Sequence, residues 1–413
     1  MSMAAFPDDP VVVTGLGAVS GYGAGVAALW AGLRSGQACI ADFKRFDHAR
    51  DRTHLAAEVP VHTLPAPAGP KEARRLTLAD RFALAAADEA VAAAGGVRAL
   101  REARAGVFFG SSTGGFYESE RFFADIIGAG RGRAHIDALT AQQYNGPGDA
   151  VARRFDVRGP VATLSSACTS GALAVAAALE ALDDGEIDVA LAGGADSLCR
   201  ITYAGFNSMR AVDPAPCRPF REDRAGLSLG EGAAVLVLER RSRALARSFR
   251  PIATLLGAGS TCDAHHMTAP IPDGSGACRA ALEAIRHAGI EPREVAFVNL
   301  HGTGTPLNDA AEWMALCGLF GARAAEVPVT STKGALGHLL GSAGAIEALA
   351  TVLCLAHGEV HATPGVGPVD PATPARLVLG SPLAVPRARF ALSLNLAFGG
   401  SNAALVFGRW EEP

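Results

Sequence analysis

The chain is poor in the features that would take it out of the compact globular class. Charged residues make up 19% and aromatic residues 6% of its 413 positions, and 37 Lys and Arg are balanced by 41 Asp and Glu. A formal net charge of −4 gives no global attraction to nucleic acid or to an anionic membrane, so an electrostatic partner must meet a local patch. The eight cysteines, at 39, 168, 199, 217, 262, 278, 317 and 354, include no CxxC pair and no Cys/His ligand spacing. That argues against a metal site or a disulfide framework and for reduced thiols. The amino terminus, MSMAAFPDDPVVVTG, has neither the basic nor the apolar region of a signal peptide. No later stretch reads as about 18 apolar residues free of Gly, Ser and Thr. The expectation is a cytoplasmic protein without a membrane anchor.

What is abundant is small and apolar. Hydrophobic residues reach 49%, with 48 glycines, which fits helices packed closely on a sheet. Short apolar runs ending in Gly recur: VVVTGLG (11–17), GVFFGSS (106–112), DVALAGGA (188–195), VAFVNLHG (295–302) and FALSLNLAFGG (390–400). Each has the length of a doubly buried strand, and Ala-rich helical stretches such as 78–94 and 171–183 lie between them. The alternation predicts an α/β layered fold. Segments 213–228 and 362–376 read as surface loops. The length suits two to three units, or one large unit built by duplication. GEGAAVLVL (230–238) lies on GSNAALVF (400–407), and CTSGALAVAAALEAL (168–182) on HLLGSAGAIEALATV (338–352), both at an offset of 170; VVVTGLGA lies on ATLLGAGS (253–260) at 242. A duplication would make Cys168 and His338 counterparts.

Four stretches could carry chemistry. In ATLSSACTSGALAV, a strand brings Cys168 to a helix start, whose N–H groups and dipole would lower a thiol pKa and offer an oxyanion site. A core cysteine is the alternative, weakened by the small polar neighbours Ser165, Ser166, Thr169 and Ser170. In VNLHGTGTPLNDAAE (298–312), a strand delivers His301 to a thin Gly-rich loop where Thr303 and Thr305 could bond ligand amides; a surface or satisfied core histidine is the alternative. STKGALGHLLGSAGAIEAL (331–349) reads as a loop with Lys333, then His338 at a helix start, held neutral as a donor, then Glu347 two and a half turns in. Lys333 is the natural partner of a buried Glu347, for catalysis or as a structural ion pair. In LNLAFGGSN (394–402), Gly399 and Gly400 behind Phe398 permit either a tight turn or close backbone approach to a ligand. TGLGAVSGYG misses the dinucleotide fingerprint, because Ser20 stands where its third glycine belongs.

SSACTSGA, HGTGTPLND, STKGALGH and AFGGSN, in this order, together resemble the signature set of the elongating β-ketoacyl-acyl carrier protein synthases of the thiolase superfamily, over residues 10 to 408. RPFREDRAGLSLGEGAAVLVLE (218–239) and DAHHMTAPIPDGSG (263–276) extend the likeness. The resemblance implies a duplicated α/β/α/β/α sandwich, with residues 1–250 carrying the cysteine and 251–413 the two histidines. It implies that Cys168 holds an acyl group taken from a carrier-protein thioester. His301 and His338 would stabilise the enolate formed from malonyl-carrier protein as carbon dioxide leaves. Backbone N–H groups of Cys168 and Phe398 would form the oxyanion hole, Phe398 would gate the acyl channel, Thr303 and Thr305 would hold pantetheine, and Lys333, Glu347 and Asp309 would support the histidines. No cofactor is implied beyond the phosphopantetheine of the carrier protein, and no metal.

The implied partners are an acidic acyl carrier protein, docking on Lys71, Arg74 and Arg75 with Arg131, Arg133 and Arg210, and a second subunit, either a copy of the chain or a chain-length factor. The rivals are a non-catalytic chain-length-factor-like subunit, which lacks the cysteine, and a coenzyme A thiolase, which carries a second cysteine near the carboxy terminus; here none follows Cys354. Initiating synthases replace one histidine by asparagine. The chain departs from the family's usual RPFD…RDGF at Arg221, Ala225 and Leu227, and from GFGG at Ala397. Those changes, with Leu396 and Thr113, bear on chain selectivity. HGTGT is the form common in polyketide synthases, so a polyketide or polyene pathway stands beside fatty acid synthesis.

Overall fold

The computed structural model describes residues 8–67, 69, 75–101, 103–129, 136, 139 and 143–411. Ten strands form the framework: β1 (Val11–Ser20), β2 (Ala105–Gly110), β3 (Val161–Leu164), β4 (Val189–Asp196), β5 (Gly232–Arg240), β6 (Ala253–Cys262), β7 (Val295–Asn299), β8 (Pro328–Thr330), β9 (Phe390–Leu396) and β10 (Ser401–Arg409). Their order is β8-β7-β9-β10-β6-β1-β5-β4-β2-β3, with Arg376–Leu377 added beyond β8. From the central antiparallel pair β1/β6, each direction repeats one pattern. β1, β5 and β4 are antiparallel neighbours and β4, β2 and β3 parallel ones; β6, β10 and β9 are antiparallel and β9, β7 and β8 parallel.

Helix α1 (Leu78–Ala93) covers the outer face of the first half, and α3 (Ser275–His287) and α4 (Pro306–Phe320) that of the second. Helices α2 (Ser170–Asp183) and α5 (Ala343–His357) pack against each other between the two halves, in the largest apolar core. This is the thiolase-like layered α/β fold.

Both sequence offsets have a structural cause. A Cβ on Gly15 or Gly17 would lie 2.1 or 1.8 Å from the carbonyl oxygens of Ala90 and Ala86 on α1; one on Gly257 or Gly259 would lie 2.2 Å from those of Ala284 and Ala280 on α3. In each half a helix rides directly on a strand where side chains are missing. At the other offset, Ala233 sits opposite Val19 and Ala195, and Ala403 opposite Ser260 and Asn395.

One expectation is corrected, and one long apolar span is explained. The span Leu340–His357 is long and apolar enough by composition to cross a membrane, but 89% of it is buried inside the protein. A helix packed on all sides is apolar all round for that reason. Segment 213–228 is irregular as expected yet not superficial, since Cys217, Phe220, Arg221 and Leu227 are all buried. Its backbone is satisfied by the rest of the site: Gly226 N donates to Gly304 O, and His338 N to Ser228 O.

Candidate active site

Cys168 stands between β3 and α2, after Ala167, whose φ of +47° is left-handed. His338 stands before the short turn Leu340–Ser342 that leads into α5, after Gly337 with φ +67°. The counterparts therefore share a kinked approach, which turns each side chain into the cleft. Ala167 occupies a conformation costing an L-residue about 1–2 kcal/mol, a strain that must be held by its surroundings. Ser112 Oγ and Ser170 Oγ both donate to its carbonyl, at 3.1 and 2.6 Å.

His301 follows β7, two residues beyond Asn299, and its side chain meets the others: reactive atoms of Cys168, His301 and His338 lie within 4.8 Å of one another. The two imidazoles are edge to face, with ring centroids 5.4 Å apart. Their protons are fixed by their outer nitrogens. His338 Nδ1 accepts the Leu340 N–H at 3.0 Å, and His301 Nδ1 lies 2.9 Å from Lys333 Nζ. Each ring therefore carries its proton on Nε2, and both present N–H donors to the cleft. That arrangement offers hydrogen bonds rather than lone pairs, which suits a developing oxyanion and not a metal ion. Burial first, then the Lys333 charge, holds both histidines well below the usual imidazole pKa, so they are neutral.

Lys333, on the turn Lys333–Leu336, is ion-paired with Glu347. Glu347 lies about one turn into α5, not two and a half, because the helix begins only at Ala343. Its second oxygen accepts from Asn395 Nδ2 on β9. Burial pushes the Glu347 carboxyl up while Lys333 pulls it down. Behind His301, Glu312 on α4 accepts the backbone N–H groups of His301 and Gly302 at 2.7 and 2.6 Å and the Asn308 amide at 2.8 Å. Asp309, fully buried, holds Phe220 N, Gly304 N and Arg224. Thr303 and Thr305 hydroxyls are 2.8 Å apart and both line the cleft.

The cleft wall also includes Phe206, Ala211, Leu227, Thr268, Asn308, Leu396, Ala397 and Phe398. Phe398 begins a short turn with Gly399 and Gly400 at φ +85° and +79°, and its ring stacks on Phe206 at 5.8 Å. Gly399 N donates to Met267 O, so this turn is tied to the segment after β6. The backbone N–H groups of Phe398 and Cys168 both stabilise charge on the sulfur, as does Lys333. Burial nevertheless dominates and pushes the Cys168 thiol up to about 11. The sequence expectation of a lowered thiol pKa is thus reversed, because the helix start that favours the thiolate lies under an apolar rim.

Of the residues singled out from sequence, Cys168, His301, His338, Lys333, Glu347, Thr303, Thr305 and Phe398 converge here, with Asp309 directly behind. Arg75 and Arg210 are exposed, and Lys71, Arg74, Arg131 and Arg133 lie outside the described residues. Among the departures, Leu227 and Ala397 line the cleft, Ala225 N donates to Asp213, and Arg221 is buried with its guanidinium on the carbonyls of Gly365 and Gly367. Thr113 is committed to Asp196 and Ser197 O. Sequence reasoning missed Asn299, Asn395, Glu312 and Asp196. The signal for the two asparagines was a lone amide inside an otherwise apolar strand, in VNLHG and in LNLAFGG.

The model of the β-ketoacyl synthase N-terminal domain matches residues 8–244, and that of the C-terminal domain residues 252–366. A 3-oxoacyl-[acyl-carrier-protein] synthase 2 from Synechocystis sp. is 34% identical over 409 residues, covering 97% of this chain and 98% of the relative. The ishigamide ketosynthase/chain length factor structure superposes with a TM-score of 0.92 at 33% identity, covering 98% of this chain and 100% of that one. The type II polyketide synthase complex AntDE:AntF, a ketosynthase with its acyl-carrier protein, superposes with a TM-score of 0.88 at 26% identity, covering 97% and 100%. With both domain models matched in order and relatives aligned end to end, the chain belongs to the β-ketoacyl synthase family.

Proposed function

We propose that the chain is a β-ketoacyl-acyl carrier protein synthase that extends an acyl chain held on Cys168 by decarboxylative condensation with malonyl-carrier protein. The observation that carries the reading is the pair of neutral imidazoles presenting Nε2–H groups towards one thiol. Residues 1–250 are read as the half that supplies the nucleophile and 251–413 as the half that supplies the donors.

In the first step the Cys168 sulfur attacks the acyl thioester, its proton ends on the departing pantetheine sulfur, and the acyl-cysteine forms. The protons balance, since one S–H is consumed and one is made, and the attacking thiolate is favoured by Lys333 and the N–H groups of Phe398 and Cys168. The tetrahedral oxyanion is stabilised by the N–H groups of Cys168 and Phe398; losing one such donor costs on the order of 3 kcal/mol, about a hundredfold in rate. In the second step malonyl thioester enters. Its carboxylate leaves as carbon dioxide, and the electron pair moves onto the thioester oxygen, where His301 and His338 donate. The enolate carbon then attacks the acyl carbonyl, and the Cys168 thiolate departs. Lys333 keeps the His301 proton on Nε2 and keeps a protonated imidazole unfavourable, and Glu347 offsets the buried ammonium. Thr303 and Thr305 bind the pantetheine amides.

No cofactor beyond carrier-borne phosphopantetheine enters these steps, and a cytoplasmic setting suits a carrier-protein substrate. Arg75 and Arg210 are read as docking residues for the acidic carrier protein. Arg210 shares an open surface groove with Arg50 and Arg52. The likeness to the ishigamide ketosynthase/chain length factor supports pairing with a chain-length factor in a polyketide or polyene pathway; the likeness to the 3-oxoacyl synthases supports a homodimer in fatty acid synthesis. Purification with one or two kinds of subunit decides between them. The chemistry is tested by His301→Ala and His338→Ala: both are expected to lose carbon dioxide release from malonyl-carrier protein while Cys168 still accepts an acyl group. Unchanged release in both variants would remove the histidines from that role.

A further inference from the structure

A further buried carboxylate behind the cleft is used by none of these steps. Asp196 ends β4 fully buried, and among the described residues no Lys or Arg pairs with it. Its Oδ1 accepts from Ser111 Oγ at 2.7 Å, Ser112 N at 3.0 Å, and Thr113 N and Oγ1 both at 2.9 Å. Its Oδ2 accepts from Gly341 N at 2.6 Å and shares the Ser112 N–H at 3.0 Å. One carboxylate thus ties the loop after β2 in the first half to the turn after His338 in the second.

Two of those attachments lead to a reacting group. On the first side, Ser112 Oγ donates to the carbonyl of left-handed Ala167, next to Cys168. On the second side, Leu340 has φ +55°, and the peptide following it supplies the Gly341 N–H that Asp196 takes. Leu340 N is also the donor that occupies His338 Nδ1. A leucine in that region is strained by about 1–3 kcal/mol and persists only when its neighbours hold it.

We propose that Asp196 is a positioning residue: through Ser112 it holds the backbone at Cys168, and through Gly341 it holds the Leu340 peptide that fixes the His338 proton on Nε2. This rests on the function proposed above. Asp196→Asn separates the two branches. Five N–H and O–H groups converge on Oδ1, Gly114 N at 3.4 Å among them, so the amide oxygen takes that side and keeps the Ser112 N–H it already shares with Oδ2, while the NH2 group is left facing the Gly341 N–H, donor against donor. The His338 branch is broken and the Cys168 branch kept.

The experiment measures acyl transfer to Cys168 and, without an acyl primer, carbon dioxide release from malonyl-carrier protein. Asp196→Asn is expected to lower the kcat of release by about 10- to 100-fold, with KM for malonyl-carrier protein and the acylation rate within about threefold of wild type. Ser112→Ala is expected to show the converse, slowed acylation with release unchanged, and keeps the proposal testable if Asp196→Asn does not fold. Release at the wild-type rate in Asp196→Asn, or equal losses of both reactions in either variant, would overturn the proposal. A wild-type protein that performs neither reaction refutes the function reading and the proposal with it.

Discussion

At Cys168 opposing effects act on one sulfur. The Lys333 charge and the N–H groups of Phe398 and Cys168 favour the thiolate, and burial outweighs them, leaving the thiol pushed up to about 11. Alkylation of Cys168 by a neutral reagent should therefore rise steadily from pH 7 to pH 9, close to tenfold per unit; a plateau near neutrality would show a thiolate already formed. For the histidines the direction is opposite, since burial and Lys333 hold both well below 6.5. Malonyl decarboxylation is expected to stay flat as pH falls from 7.5 to 6.5, and a loss centred at 6.5 would mean ordinary, exposed imidazoles. Cys168, His301 and His338 were legible in the sequence because Gly, Ser and Thr crowd around them. Their protonation states were not, because these depend on what is buried over the cleft and on which nitrogen a distant Lys or backbone N–H occupies.

The turns that deliver these residues rest on a few backbone positions. Gly337 precedes His338 with φ +67°, and a Cβ there would lie 2.6 Å from Leu229 O. Gly337→Ala combines an unfavourable φ with a backbone clash, at a cost of roughly 1–3 kcal/mol. The loss should fall on decarboxylation first, with acylation of Cys168 largely kept; equal activity in both reactions would mean the turn tolerates the change. Helices α1 and α2 and the starts of the five strand runs were readable within a residue, since runs such as VVVTGLG are apolar on both faces, while the strand ends differ by up to four residues. The role of segment 213–228 was not readable. Its Pro and Arg content looks superficial, yet Arg224 finds Asp309 and Asp370 across the chain. Long-range pairings of that kind leave no local pattern.

Across the whole molecule, two similar halves place the cysteine and its donors on opposite sides of one cleft, and the shared offsets of 170 and 242 made that duplication visible. The buried interior also couples folding to pH. Burial raises Glu118 to about 7 from 4.5, so the folded chain holds a proton there that the unfolded chain releases. The stability linked to it is present below about pH 4.5 and is lost as pH rises through 7, by at most about 1.4 kcal/mol per unit. The melting temperature should fall from pH 6 to pH 8, and Glu118→Gln, which cannot ionise, should make that limb shallower, with Glu312, raised by burial to about 8, and Asp80, raised to about 6, contributing the rest; identical profiles would remove Glu118 from the coupling. The central claim concerns covalent capture by one sulfur. Mass spectrometry of the protein after incubation with an acyl-carrier protein, with peptide mapping, tests it most directly. The expected result is a single acyl adduct on Cys168 that disappears in Cys168→Ala. An unmodified Cys168, or an adduct retained in the variant, would contradict it.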